Sequence, residues 1–253
     1  MAMDQRHQSA TTSAAVTLTK PLHCIVKLGG AAITLKNELE TINEENLNIV
    51  SSQLRQAMIS GPCCGMDWSR RPGSLEVPTV VDDFDDVESD SKKFIVVHGA
   101  GCTVTTNYNF LATVRMIFTF CIGSFGHFQA SKSGVHKGGL SRPLVKSGFV
   151  ATRISVTSLN LEIVRALAKE GIPSIGMSPF SCGWSTCERN MAVADSSTVV
   201  QAIDAGFIPV LHGDAVLDSS QGCTILSGDV IIRHLAEELR PDYVVFLVSN
   251  NNR

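Results

Sequence analysis

No apolar run in the 253 residues is long enough to cross a bilayer; the best stretch, Met116–Ile122, is short and abuts Arg115. Positive charge is also in short supply. The net charge is −3, which argues against a broad electrostatic footprint for nucleic acid. Metal-ligand spacing is missing among the eight cysteines: Cys182 and Cys187 have no supporting His or Cys pair, and Cys63-Cys64 sit side by side in a loop. Reduced, packed or surface thiols are therefore expected, in keeping with a cytoplasmic compartment. Residues 1–20 have no apolar core of a secretory signal and read, to residue 21, as a disordered tail rich in Ser, Thr and Ala. Asp4 is their single acidic residue, so an organellar transit segment is the alternative. Neither an internal repeat nor the phosphate-loop pattern Gly-x-x-x-x-Gly-Lys-Ser/Thr occurs. What remains is a chain of ordinary composition, 44% hydrophobic and 18% charged, able to bury a sizeable core and to meet small molecules or other proteins.

The pattern along the chain alternates short apolar strands with helices. Strands are expected at His23–Leu28, Phe94–Val97, Pro173–Met177, Phe207–Leu211, Cys223–Leu226 and Tyr243–Val248. Helices are expected at Glu44–Met58, at Ser155–Lys169 ahead of Gly171 and Pro173, at Val193–Ala205 ahead of Gly206, and at Val230–Leu239. Between 60 and 93, Gly61-Pro62, Arg71-Pro72-Gly73 and Pro78 break regular structure, and Asp82, Asp83, Asp85, Asp86, Glu88 and Asp90 form an acidic, solvated loop. We do not read that cluster as a metal site. The fold class is α/β, with a largely parallel sheet sandwiched by helices.

Chemistry collects at the strand ends. Val96-Val97-His98-Gly99-Ala100-Gly101 breaks off and resumes as Gly123-Ser124-Phe125-Gly126-His127. Across the gap it reads as a strand entering a glycine-rich turn that ends on a histidine. Such a turn suits a phosphate, with backbone N–H groups approaching the anion and an imidazole adding a directed donor. Lys27 precedes Gly29-Gly30 at the end of the first strand, and Lys36 follows nine residues later. Two cations on a transferring phosphoryl group would stabilise developing charge. Gly213-Asp214 and Gly228-Asp229 mark two more strand ends; Asp229 could orient lysines or cap the following helix. His98 and His212, each before a glycine, are expected to be packing or hydrogen-bonding residues. Together these features indicate a phosphotransferase.

The same residues carry a resemblance. Val26-Lys27-Leu28-Gly29-Gly30 with Ile33-Thr34-x-Lys36, the split turn ending at His127, Gly148–Arg153, Leu211-His212-Gly213-Asp214 and Leu226-Ser227-Gly228-Asp229 resemble the amino acid kinase superfamily, most closely its isopentenyl phosphate kinase branch. The resemblance implies ATP-dependent phosphorylation of isopentenyl phosphate to isopentenyl diphosphate in isoprenoid biosynthesis, with Mg2+ accompanying ATP. It implies that Lys27 contacts the ATP phosphates and Lys36 the transferring phosphoryl, and that His127 holds the acceptor phosphate. Ala100 and Gly213 would line the acceptor site, and Asp229 would orient the lysines. Gly29, Gly30, Asp214 and either Gly101 or Gly123 would face the nucleotide phosphates. Phe128, Phe149 and Ile154 are candidates for the prenyl-tail pocket. Against the family pattern, 102–122 is an atypical insertion, which we read as retained intron sequence or a gene-model error. The expected organisation is an acceptor-substrate domain over 22–205 and a partial nucleotide-binding domain over 206–253, with the ATP-binding part incomplete, the last strand unpaired and activity impaired. The expected partner is a small prenyl monophosphate, with no nucleic acid and no membrane; the resemblance allows a homodimer, an assembly common in the superfamily, although no stretch of the sequence identifies an interface. Alternatives are a kinase of the acetylglutamate or UMP type, or a non-catalytic isoform binding a prenyl phosphate or an intact kinase subunit.

Overall fold

The computed structural model describes residues 18–35, 38–60, 92–99 and 125–247. The acidic loop, the 102–122 segment and residues 1–17 therefore lie outside the described residues, apart from the loop's ends at 60, 92 and 93. The chain opens with β1 (Cys24–Leu28), a single helical turn α1 (Gly30–Ile33), α2 (Glu44–Met58) and β2 (Phe94–His98). It continues through α3 (His127–Ser133), the long α4 (Pro143–Lys169), β3 (Ser174–Met177), β4 (Ser185–Cys187) and β5 (Asn190–Val193). Last come α5 (Ser197–Asp204), β6 (Ile208–His212), β7 (Asp214–Asp218), β8 (Gly222–Leu226), α6 (Gly228–Leu239) and β9 (Tyr243–Leu247).

A five-stranded sheet runs in the order β3-β6-β2-β1-β9, every pairing parallel. Its central strands are apolar at nearly every position because both faces are covered. Alternation then sorts the side chains. Cys24, Val26, Leu28, Phe94, Val96 and Val210 pack on one side with Leu47, Leu54 and Met58 of α2 and Leu159, Ile163 and Leu167 of α4. Ile25, Ile95, Val97 and Leu211 pack on the other with Val199 and Ile203 of α5 and Ile231, Leu235 and Leu239 of α6. The helix–sheet–helix sandwich follows from these two faces. Leu18 packs against the second face, and the Thr19 hydroxyl donates to Asp204, so residues next to β1 join the folded body.

Several elements differ from the sequence expectation. The helix expected at Ser155 begins about three turns earlier, at Pro143, whose fixed φ suits a first helical position. Gly148 and the β-branched residues around it weaken the helical signal locally, yet tertiary packing decides. A Cβ on Gly148 would stand 1.9 Å from Ser133 Oγ, so the glycine lets α3 cross α4 closely. The helix expected from Val193 begins only at Ser197, because the Asp195 carboxylate accepts from the backbone N–H and hydroxyl of Ser197 and bends the chain. A second sheet, β5-β4-β7-β8, carries three strands that the apolar pattern does not reveal. The turn joining its β7–β8 hairpin is organised by Asp218, which accepts from Ser220 and Gln221 backbone N–H groups. The final strand is not unpaired: β9 pairs in parallel with β1, Lys27 opposite Phe246, and forms the sheet edge.

Among the described residues no helix is long and apolar enough to cross a membrane. Cys24, Cys182, Cys187 and Cys223 are free thiols, as expected.

Candidate active site

The C-terminal ends of β9, β1, β2 and β6 are joined by glycines. Gly29 N–H donates to the Leu247 carbonyl at 2.9 Å, Gly99 N–H to Leu28 at 3.2 Å, and Gly213 N–H to His98 at 3.1 Å. Each bond extends the parallel ladder by one step. The three amides are thus committed to the sheet and are not the anion donors that a glycine-rich turn leads one to expect. A Cβ on Gly213 would stand 3.3 Å from the Leu226 carbonyl oxygen, so this strand end has little room for a side chain. Gly228 and Asp229, which open α6, have no intrahelical acceptor for their N–H groups by virtue of position.

β1 lies between β2 and β9, so the chain leaves it on one side and returns on the other. Ligands in open α/β sheets bind at the crevice such a reversal makes beyond the strand ends. Lys27 stands there. It shares strand parity with Ile25 and therefore points toward α6, where its ammonium forms an ion pair with the Asp229 carboxylate. The Lys27 side chain is 12% exposed and that of Asp229 36%, so the cation is sheltered while its partner opens toward solvent. The Phe246 ring centroid lies 5.5 Å from the ammonium and braces it from β9. Asp229 is not the helix cap; that role belongs to Ser227, whose hydroxyl oxygen accepts from Val230 N–H at 3.3 Å. Asp229 is left free to hold Lys27.

His127 is the exposed first residue of α3. The turn before it is held firmly: Phe125 is buried, and Gly126 adopts φ +68°, a conformation that favours glycine. A Cβ at Gly126 would stand 2.5 Å from Val156 Cγ1. Gly126 N–H donates to Ser155 Oγ of α4 at 2.7 Å.

His98 and His212 end their strands side by side, ring centroids 5.6 Å apart and both buried. Asn160 of α4 ties the two strands: its amide nitrogen donates to the Val210 carbonyl of β6 at 2.9 Å and lies 3.1 Å from His98 Nε2 of β2. An amide nitrogen only donates, so His98 Nε2 accepts and the ring proton sits on Nδ1. His212 Nδ1 faces the Gly213 carbonyl at 3.0 Å. Burial, reinforced by His212, pushes the His98 pKa well below the ordinary histidine value, with the Gly99 backbone opposing. Burial likewise lowers that of His212, against Asp214 and the Gly213 carbonyl. Both histidines are buried, hydrogen-bonding residues, as expected.

Asp214 was expected to face the nucleotide; its buried carboxylate is instead occupied by the protein. Oδ1 accepts from Arg153 Nε at 3.3 Å and Ala215 N–H at 2.9 Å, and Oδ2 from the Ser178 hydroxyl at 2.7 Å and Phe180 N–H at 3.3 Å. The Arg153 guanidinium lies 4.1 Å from the Phe180 ring centroid. Of the candidate prenyl-pocket residues, Phe149 is buried against Phe180, whereas Phe128 and Ile154 are surface side chains. Lys36, Ala100, Gly101, Gly123 and Ser124 lie outside the described residues.

Three supporting residues have no site role in the sequence expectation: Asn160, Arg153, which there only closes a motif, and Ser155, which there only opens a helix. Asn160 carried a signal, being a polar residue beside the apolar stripe Val156, Leu159 and Ile163. Among the described residues no group of three His, Cys, Asp or Glu side chains could hold a metal ion.

The amino acid kinase family profile matches residues 23–251. Over 236 residues the chain is 63% identical to isopentenyl phosphate kinase of Arabidopsis thaliana, covering 91% of this chain and 64% of that protein. It is 28% identical to isopentenyl phosphate kinase of Methanothermobacter thermautotrophicus, covering 87% and 65%. The fold superposes on the X-ray structures of isopentenyl phosphate kinase with a TM-score of 0.62 at 26% identity, over 88% of this chain and 70% of that one. This chain thus spans just under two thirds of the length of these two curated relatives. With the profile matched across nearly the whole folded body, the chain belongs to the amino acid kinase family.

Proposed function

We propose that this chain is built to transfer the terminal phosphoryl group of ATP to isopentenyl phosphate, giving isopentenyl diphosphate. The carrying observation is the Lys27–Asp229 ion pair at the crevice beyond β1, in a chain 63% identical to an isopentenyl phosphate kinase. An oxygen of the acceptor monophosphate attacks the γ-phosphorus, the bond to the bridging β,γ-oxygen breaks, and ADP leaves. Such transfer needs positioning and charge neutralisation more than covalent help. Lys27 supplies a sheltered cation to the nucleotide phosphates, and Asp229 aims it. His127, exposed at a firmly anchored turn, donates to the acceptor phosphate. Lys36 is assigned to the transferring phosphoryl. Gly30 and either Gly101 or Gly123 are assigned to the phosphate path, and Ala100 and Gly213 to the acceptor wall. Asp214 supports the site through Arg153 and Ser178. Magnesium, in this reading, is carried by the ATP phosphates and neutralises charge there.

The test is a coupled assay of ADP release with isopentenyl phosphate, N-acetylglutamate or UMP as acceptor. It uses the chain as it stands and the same chain lacking 102–122. Release that depends on isopentenyl phosphate and is lost in Lys27→Met is the expected result. Preference for either other acceptor, or no response to isopentenyl phosphate from both versions, refutes the proposal.

A further inference from the structure

Glu40 occupies an unusual place. It lies in the loop between α1 and α2, whose base is closed by an antiparallel bridge between Thr34 and Ile42 and by bonds from Leu35 N–H to Thr41 and from Asn43 N–H to Ile33. Its φ is +53°, in the left-handed region that residues with a Cβ avoid. A conformation of that kind persists when the surroundings fix it. Here the fixing contacts are long-range. Glu40 Oε1 accepts from the Ser155 hydroxyl of α4 at 2.6 Å and from Gln129 Nε2 of α3 at 3.1 Å. Ser155 Oγ in turn accepts from Gly126 N–H at 2.7 Å.

The three groups form a directed chain: amide to hydroxyl to carboxylate. The hydroxyl hydrogen is committed to an anion, so its oxygen is a stronger acceptor for the Gly126 amide. Gly126 immediately precedes His127, and Gln129 lies two residues beyond it. A single carboxylate therefore grips the histidine turn from both sides, once through Ser155 and once through Gln129. Phe125 is buried beside that turn, and the contacts to Glu40 add a polar restraint on both sides of His127.

We infer that Glu40 is a positioning residue for His127, setting the imidazole where an acceptor phosphate is received. The acceptor half of the inference rests on the proposed function; the clasp itself does not. Glu40→Gly and Ser155→Ala are informative together. Glycine relieves the left-handed backbone, so without a clasp Glu40→Gly would leave the turn as protected as before or more so.

The experiment measures amide hydrogen exchange of Gly126 and titrates isopentenyl phosphate by calorimetry, in the full chain and both variants. In each variant the Gly126 amide exchanges about tenfold faster or more, with β2 and α6 amides unchanged. The Kd for isopentenyl phosphate rises about tenfold. Glu40→Gln, which keeps an acceptor oxygen, recovers most of both effects. Unchanged Gly126 exchange overturns the clasp, and faster exchange with acceptor affinity within about twofold overturns the positioning role. A parent chain that binds no isopentenyl phosphate, while exchange shifts as expected, sinks the acceptor reading and leaves the clasp standing.

Discussion

Lys27 and His127 serve different phosphates in the proposed reaction, and kinetics can separate them. Lys27 sits on a strand, locked by Asp229 and Phe246, where its charge would act mainly as negative charge builds on the transferring group. Lys27→Met should therefore lower kcat/KM by about a hundredfold to a thousandfold, the range seen when one preorganised charge-stabilising donor is lost. Asp229→Asn should cost less alone and add little to Lys27→Met, because the two act as one unit. His127 is exposed and would bind the acceptor phosphate before and during reaction alike. His127→Ala should then raise KM for isopentenyl phosphate by about tenfold or more while sparing most of kcat. Steady-state kinetics varying each substrate separately decide it. A His127→Ala enzyme with unchanged KM and collapsed kcat contradicts the acceptor role. Lys27 and His127 stand out in the sequence because glycines mark them, Gly29-Gly30 after the one and Gly126 before the other. Asn160 and Glu40 do not, since their importance arises from partners 62 and 115 residues away in sequence.

The paired ends of β2 and β6 carry a pH dependence. His98 and His212 are buried, and each ring's Nδ1 holds the proton, so the folded chain resists a second proton on either ring. The folded pKa of each is depressed, chiefly by burial. Unfolded histidine titrates at about 6.5, so below that pH the unfolded chain gains protons that the folded chain excludes. Stability is full above that value and falls as pH is lowered toward the folded pKa values. The slope approaches about 1.4 kcal/mol per pH unit for each ring within that window. Urea unfolding at pH 7.5 and pH 5.5 should show the loss, and His98→Gln should reduce it by roughly half. Equal stability at the two pH values would refute the argument. At this scale the sequence was a good guide where one physical signal dominates. Glu44–Met58 is a helix end to end because Asn43 caps it and its apolar spacing is regular. The first turns of α4 were hidden because Gly148 and neighbouring β-branched residues argue against helix, while the crossing with α3 requires that glycine. The strands of the second sheet were hidden too: Ser185–Cys187 is only three residues long, and Asp214–Asp218 begins and ends on aspartates.

For the whole molecule, the α/β class with a largely parallel sheet follows from the alternation of elements, but strand order does not. β6 and β9, assigned in sequence to a nucleotide-binding part from 206 onward, hydrogen-bond into the same sheet as β2 and β1. Long-range pairing of that kind leaves no local trace in the chain. The same architecture bears on the 102–122 segment, because both of its flanks are held. Upstream, the Gly99 amide and the His98 carbonyl are engaged by β1 and by Gly213. Downstream, Phe125 is buried and Gly126 is bonded to Ser155. The entropic cost of closing a loop of this length is only about 2–3 kcal/mol, a term that removing the segment would largely return. The functional effect should be larger than the stability effect, since in the proposed reaction the turn and His127 meet one phosphate, and misplacement by a fraction of a bond length is costly in phosphoryl transfer. Deleting 102–122 should therefore leave the sheet intact by circular dichroism and raise the unfolding temperature by a few degrees. It should also increase kcat/KM for isopentenyl phosphate by about tenfold or more. A shortened chain that fails to fold or loses kcat/KM would place the segment in the working turn, and one that folds with kcat/KM unchanged would show that joining the two flanks does not complete an acceptor site.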